Sequence, residues 1–169
     1  PDSKAAGKWE TQDKANPKLK GEYYAAGVGG ALAGRGADLF IIDDPHSEQD
    51  AMNPKSMDDT YEWYTSGPRQ RLQPGGAIVI VMTRWNVNDL TGRLLKDAAR
   101  DPKADQWEVI ELPAILPSGK ALWPEYWKLE ELESVKASLR GGPKWHAQYM
   151  QNPTSEEGAL IKREWWNTW

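Results

Sequence analysis

Two acids stand together at the end of an apolar run: Leu39-Phe40-Ile41-Ile42 leads into Asp43-Asp44-Pro45. In open α/β sheets, ligands bind at the carboxyl ends of strands. Phosphoryl transfer there needs one carboxylate to hold a magnesium ion and another group to orient the attacking water. The pair can divide those tasks, Asp43 taking the metal and Asp44 the water. Asp-Asp-Pro also starts an ordinary turn, and from these residues alone the two readings stand level. A second apolar run, Ala77-Ile78-Val79-Ile80-Val81-Met82, ends in Thr83-Arg84-Trp85. If the two runs are neighbouring strands, their polar tips meet at one sheet edge. The Thr83 hydroxyl could then report a γ-phosphate, and the planar fork of Arg84 could engage a phosphate or a carboxylate. The commoner fate of a lone Thr-Arg pair is a strand exit with a solvated arginine.

The run Gly29-Gly30-Ala31-Leu32-Ala33-Gly34-Arg35-Gly36 has the spacing of a phosphate-cradling loop, but Arg35 stands where lysine belongs and Gly36 where the magnesium-binding hydroxyl belongs. A strand follows it directly, whereas such a loop opens a helix whose amides bind phosphate. It is therefore rejected as the cradle. Its glycines would still let a loop reach past a neighbouring subunit and present Arg35 to developing phosphate charge. A glycine-rich turn with an exposed arginine explains the spacing equally well. Arg93, Lys96, Arg100 and Lys103 read as a solvated face. Ten tryptophans suggest base stacking, but stacking needs an accompanying basic groove, and packing accounts for most of them.

The elements that must position these residues follow from period and punctuation. Residues 39–42 and 77–82 are apolar without alternation, the pattern of parallel central strands covered on both faces. Between them Asn53-Pro54 caps and opens a helix on which Met57, Tyr61 and Tyr64 recur. After the second run Asn88 caps a helix carrying Leu90, Leu94, Leu95 and Ala98. Residues 22–28 and 107–112 are further strand candidates, and the alternation predicts an α/β sheet with helical crossovers. Beyond Pro113 one helix stands out, its Leu129, Leu132, Val135 and Leu139 on one face and Gly141-Gly142 ending it, with a shorter helix expected from Pro143. The expected organisation is a lead-in segment over 1–20, an α/β core portion over 21–113, a helical linker subdomain over 114–157 and a connecting segment over 158–169.

Composition narrows the classes. A chain of 169 residues is long enough to bury a core. No apolar run approaches twenty residues, so no membrane span is expected. There is no cysteine and only two separated histidines, His46 and His146, which excludes disulfides and thiolate sites and argues against zinc. A net charge of −4 gives no global attraction for nucleic acid, so any DNA contact needs a local patch. Pro1-Asp2-Ser3 opens without methionine or a leader-like apolar segment, which reads as a fragment or a processed chain.

Taken together, the segments resemble the large terminase subunit of tailed bacteriophages, the ATP-driven motor that packages DNA into the procapsid. The likeness is carried by Gly27-Val28-Gly29-Gly30, Gly34-Arg35-Gly36-Ala37-Asp38, Ile41-Ile42-Asp43-Asp44-Pro45, Met82-Thr83-Arg84-Trp85, Asp89-Leu90-Thr91-Gly92-Arg93-Leu94-Leu95 and Gln148-Tyr149-Met150-Gln151-Asn152-Pro153. It implies the C-terminal part of a P-loop NTPase-like core with ATP and Mg2+ as cofactors. Asp43 is the Walker B metal ligand, Asp44 the water-activating acid, Thr83-Arg84-Trp85 the motif coupling hydrolysis to movement, and Arg35 the best match to a trans-acting arginine. Thr83 also falls to the nucleotide. The implied partners are double-stranded DNA, a portal protein, a small terminase subunit and further copies in a ring, working in the host cytoplasm on the procapsid. A nuclease domain would follow residues 158–169, and its acids are not in this chain. No Gly-x-x-x-x-Gly-Lys-Ser/Thr motif occurs, so the phosphate loop of the family is expected upstream of Pro1 or lost. A helicase-like ATPase also suits the two strand tips, although Gln148 to Pro153 weighs against it. A catalytically inactive prophage remnant or scaffold fragment is the non-enzyme alternative.

Overall fold

A computed structural model describes residues 7–154, apart from 19, 31 and 33, so the expected connection at 158–169 lies outside the described residues. The chain is mixed α/β, with a small parallel sheet of two strands flanked by helices. β3 (Ala37–Asp43) and β4 (Leu72–Val81) run in parallel, from Leu39 opposite Ala77 to Asp43 opposite Val81. The register slips between Ala37 and Leu39, where β4 bulges through Pro74 and Gly75, the latter at φ 81. That conformation suits a residue without a β-carbon.

Parallel neighbours need a crossover, here α1 (Glu48–Ala51), α2 (Pro54–Ser66) and α3 (Pro68–Arg71). The Asn53 side chain accepts from the Lys55 amide to cap α2, with Pro54 in its first turn as expected. Met57 and Tyr64 are buried, Tyr64 in one cluster with Ile42 of β3, and Tyr61 is half-buried. After β4 comes α4 (Leu90–Arg100), whose buried Leu90 and Leu94 join Ile42 and Tyr64 in the main core. Its cap is Asp89 rather than the expected Asn88. The Asp89 carboxylate accepts from the Gly92 amide, whereas the Asn88 side chain reaches Lys96.

Three further expectations are corrected. The strands are covered on one face only: Ile42 is 4 % exposed while its neighbour Ile41 is 62 % exposed, and Leu39, Val79 and Val81 are exposed beside it. Residues 107–112 form no ladder. Alternating apolar residues need a paired edge to become a strand, and the backbone of this segment makes no hydrogen bond among the described residues. The strand expected at 22–28 is β2 (Lys20–Tyr24), and it pairs antiparallel with β1 (Lys8–Gln12), inside the segment read as a loop, in a separate two-stranded sheet. Trp9 stacks on Tyr23 across that pair with centroids 5.0 Å apart, the kind of cross-strand contact that stabilises a hairpin.

Beyond residue 113 a second cluster forms around Ala121, Leu132 and Trp145. α5 (Leu129–Ser138) contributes Leu132 and Val135, while Leu129 at its start stays exposed. The shorter helix expected from Pro143 is a π-helical turn, Trp145–Tyr149, with the rings of those two residues stacked. No helix among the described residues is long and apolar enough to cross a membrane.

Candidate functional site

The parallel pairing sets the two polar tips side by side. Asp43 closes β3 opposite Val81, and both Asp43 and Asp44 are exposed. Asp44 is clamped to the neighbouring tip twice: its amide donates to the Val81 carbonyl at 2.9 Å, and its Oδ1 accepts from the Thr83 amide at 3.1 Å. Its φ of 41 is an uncommon conformation for a residue with a side chain, though aspartate tolerates it better than most. Such geometry persists where surroundings over-determine it, and the double clamp does so here. The Thr83 hydroxyl has no hydrogen-bond partner among the described residues.

Behind the tips lies a layer organised by Asp89, which is 0 % exposed. Its carboxylate receives Arg84 Nε at 2.9 Å, the Trp85 amide at 3.1 Å and the Asn86 amide at 3.3 Å, besides the Gly92 amide at the helix start. One aspartate therefore caps α4, folds the turn after β4 and neutralises Arg84. Gly92 is required by the same packing, because an added β-carbon would lie 2.4 Å from the Val87 carbonyl oxygen and 3.0 Å from an Arg84 guanidinium nitrogen. The Arg84 amide donates to Gln151 Oε1 at 3.3 Å, so the end of the second cluster also touches the tip.

His46 joins β3 to α4. It is 2 % exposed, and its Nε2 accepts from the Leu90 amide at 3.0 Å. That bond needs the unprotonated nitrogen. Burial lowers the pKa of the ring below its ordinary 6.5, partly opposed by Asp89 and Asp50.

Asp44, Thr83, Arg84 and Gln151 line one cavity of about 1040 Å³. Arg35 is not among its walls; its guanidinium pairs with Glu22 and lies over the Tyr24 ring, 4.3 Å from the centroid. The glycine-rich segment that carries it leads directly into β3, and its described residues form no helix that could offer a phosphate-binding start. Arg93 is likewise engaged, by Asp58 and the Asn88 carbonyl. No group of three or more His, Cys, Asp and Glu side chains among the described residues could enclose a metal. A magnesium ion needs only one or two carboxylates when substrate phosphates and water complete its shell, and the exposed Asp43 at the strand end fits that requirement.

Sequence reading found the two acids and the Thr83-Arg84 tip but missed Asp89 and His46. The signal for Asp89 was present: an aspartate directly before the first periodic leucine of a helix. Nothing in residue spacing shows that a lone histidine will accept from a helix start forty-four positions away.

The geometry defines a mixed α/β chain with two exposed acids at one strand end, Asp44 clamped to the neighbouring tip, and a pair of partly buried Arg84 and fully buried Asp89 beside them. No protein-family model and no curated protein matches the chain.

Proposed function

We propose that this chain supplies the carboxylate half of the hydrolysis site in a P-loop NTPase-like motor, resembling the large terminase subunit that drives double-stranded DNA into a procapsid. One observation carries the reading: Asp44, next to the exposed Asp43, is bonded at backbone and side chain to the tip of the parallel neighbour, where Thr83 keeps a free hydroxyl. A turn that merely ended a strand would not require that second bond or the unusual backbone of Asp44.

Asp43 is the magnesium ligand, and the ion would supply charge neutralisation on the nucleotide phosphates. Asp44, fixed by Thr83, orients the attacking water, and the Thr83 hydroxyl contacts the terminal phosphate. Arg84 takes a different part from a phosphate clamp. Held by Asp89 and reaching Gln151 through its amide, it passes displacement of the tip to α4 and to the cluster around Trp145. Arg35 serves a neighbouring copy only after leaving Glu22. The portal, the small subunit, the ring and the nuclease domain follow from the resemblance alone. The chain holds no Gly-x-x-x-x-Gly-Lys-Ser/Thr motif, so ATP binding by the 169 residues alone is expected to be weak or absent.

In the intact protein, Asp44→Asn is expected to lower ATP turnover at least ~100-fold, the scale of losing a positioned catalytic base, while ATP stays bound. Turnover at the wild-type rate refutes the assignment.

A further inference from the structure

The turn that leaves β4 is held amide by amide. The Thr83 amide donates to Asp44 Oδ1 at 3.1 Å, the Arg84 amide to Gln151 Oε1 at 3.3 Å, and the Trp85 and Asn86 amides to Asp89 Oδ2 at 3.1 and 3.3 Å. Four consecutive donors thus meet side-chain acceptors from three places: the end of β3, the segment after the π-helical turn and the start of α4. Three of these bonds go to carboxylates at the tip or at the α4 cap. The remaining acceptor, Gln151, comes from sixty-seven positions along the chain and is a neutral amide. A carboxylate in its place would lie in the wall of the same cavity as Asp44, where like charges repel.

Gln151 is itself fixed at both ends. Its Nε2 donates to the Gln148 carbonyl at 2.9 Å, and its backbone sits at φ 53, the left-handed conformation that glycine ordinarily supplies just past a helix end. The Met150 amide before it donates to the Trp145 carbonyl at 3.2 Å, and the Asn152 amide after it to the His146 carbonyl at 2.8 Å. The turn that presents it is anchored by the buried Trp145, whose ring stacks on Tyr149 with centroids 4.9 Å apart, and by the Ala114 amide on the Tyr149 carbonyl at 2.7 Å. Where glycine would meet no steric cost, a long side chain stands instead, and its reach ends on the Arg84 amide.

Resting on the reading of the Asp44–Thr83 tip as a hydrolysis site, we infer that Gln151 is a positioning residue for the reaction there, and that the cluster around Trp145 regulates the tip through it. Thr83 lies between two fixed points, its own amide on Asp44 and the next amide on Gln151. With both bonds made, the Thr83 hydroxyl and the Asp44 carboxylate hold one arrangement. If the cluster withdraws by about 1 Å, the Arg84 bond is broken, because such bonds fail well before 4 Å, and Thr83 is then held from one side only. A misplacement of that size at a reacting group costs up to about 100-fold in rate. Arg84 carries movement of the tip outward, whereas Gln151 carries the seating of the cluster inward, so that hydrolysis is fast only with the cluster in place.

The test uses Gln151→Asn and Gln151→Gly. Both residues suit a positive φ at a helix end, and neither reaches the Arg84 amide, asparagine being a methylene short. In the 169-residue chain, residue-resolved amide exchange at Thr83 and Arg84 should quicken about tenfold or more in both variants, while Gly92, held by Asp89, stays within about twofold of wild type. The melting midpoint should stay within about 3 °C, since the helix end keeps a residue suited to it. In the intact protein, kcat for ATP should fall about tenfold or more with KM within about twofold, the pattern of a lost transition-state arrangement rather than lost nucleotide binding. Wild-type exchange at Thr83 and Arg84, loosening that spreads to Gly92, or unchanged kcat in variants whose tip exchanges faster would each overturn the inference. Wild-type turnover in Asp44→Asn beside a loosened tip in the Gln151 variants would overturn the hydrolysis reading, and the inference with it.

Discussion

The two faces of the β3–β4 pair are built from the same kinds of residue and meet different surroundings. Ile42, Ile78 and Ile80 lie against Tyr64, Leu90 and Leu94, whereas Leu39, Ile41, Val79 and Val81 look outward with no helix over them among the described residues. The inner face gains its stability from apolar burial, and it ends in the Asp89 network that fixes the strand tips. The outer face and the second edge of β4 contribute apolar surface and backbone groups without partners among the described residues. The clamp of Asp44 uses only the end of β3, the Val81 carbonyl and the Thr83 amide.

The sharpest way to break that contrast is at Asp89. Asp89→Ala leaves the partly buried Arg84 without its carboxylate, removes the cap of α4 and strips three further amide bonds from one buried acid, so a loss of about 3 kcal/mol is expected, at the lower end of the range for breaking a buried pair. Urea denaturation should show a loss of that size; a loss under ~1 kcal/mol would mean that the pair is not the anchor. Next come the adjacent isoleucines of β3. Ile42→Ala should cost about 2–5 kcal/mol, the range for buried aliphatic truncation, and Ile41→Ala about 0.5 kcal/mol or less, as for surface changes. Similar losses at both positions would show that the outer face is covered in solution.

The smallest effect is a pH dependence. His46 is held neutral by burial and by its bond from Leu90, so its folded pKa lies below 6.5 and the unfolded chain takes up the proton first. Its contribution to stability is full above about pH 6.5 and is lost as pH falls toward the folded value, by at most ~1.4 kcal/mol per pH unit for one proton. Urea midpoints should therefore decline below about pH 6.5 in the wild type and flatten in His46→Asn. A decline that persists unchanged in the variant would assign it to other groups.

Local signals carried much of this. Asn53-Pro54 announced α2, the unalternating runs announced two parallel strands, and the acids at the end of one predicted the tip. What remained hidden depends on partners. The sequence run at 107–112 has the pattern of a strand, but a strand exists only when an edge pairs with it, and pattern does not say whether the edge is present. The expectation of coverage on both faces failed for the same reason at Ile41. Pairing of Lys20–Tyr24 with Lys8–Gln12 was missed because charge and proline masked a short alternation around Trp9. Arg84 was legible as a fork that could take phosphate or carboxylate, and only the fold selects Asp89.

The division of labour between the two acids is the central claim, and titration of Mg2+-ATP against Asp43→Asn and Asp44→Asn in the intact protein tests it most directly. The account predicts that Asp43→Asn weakens Mg2+-dependent binding at least ~10-fold, about 1.4 kcal/mol, while Asp44→Asn binds within about twofold of wild type. Equal losses in both variants, or a loss confined to Asp44→Asn, would contradict it.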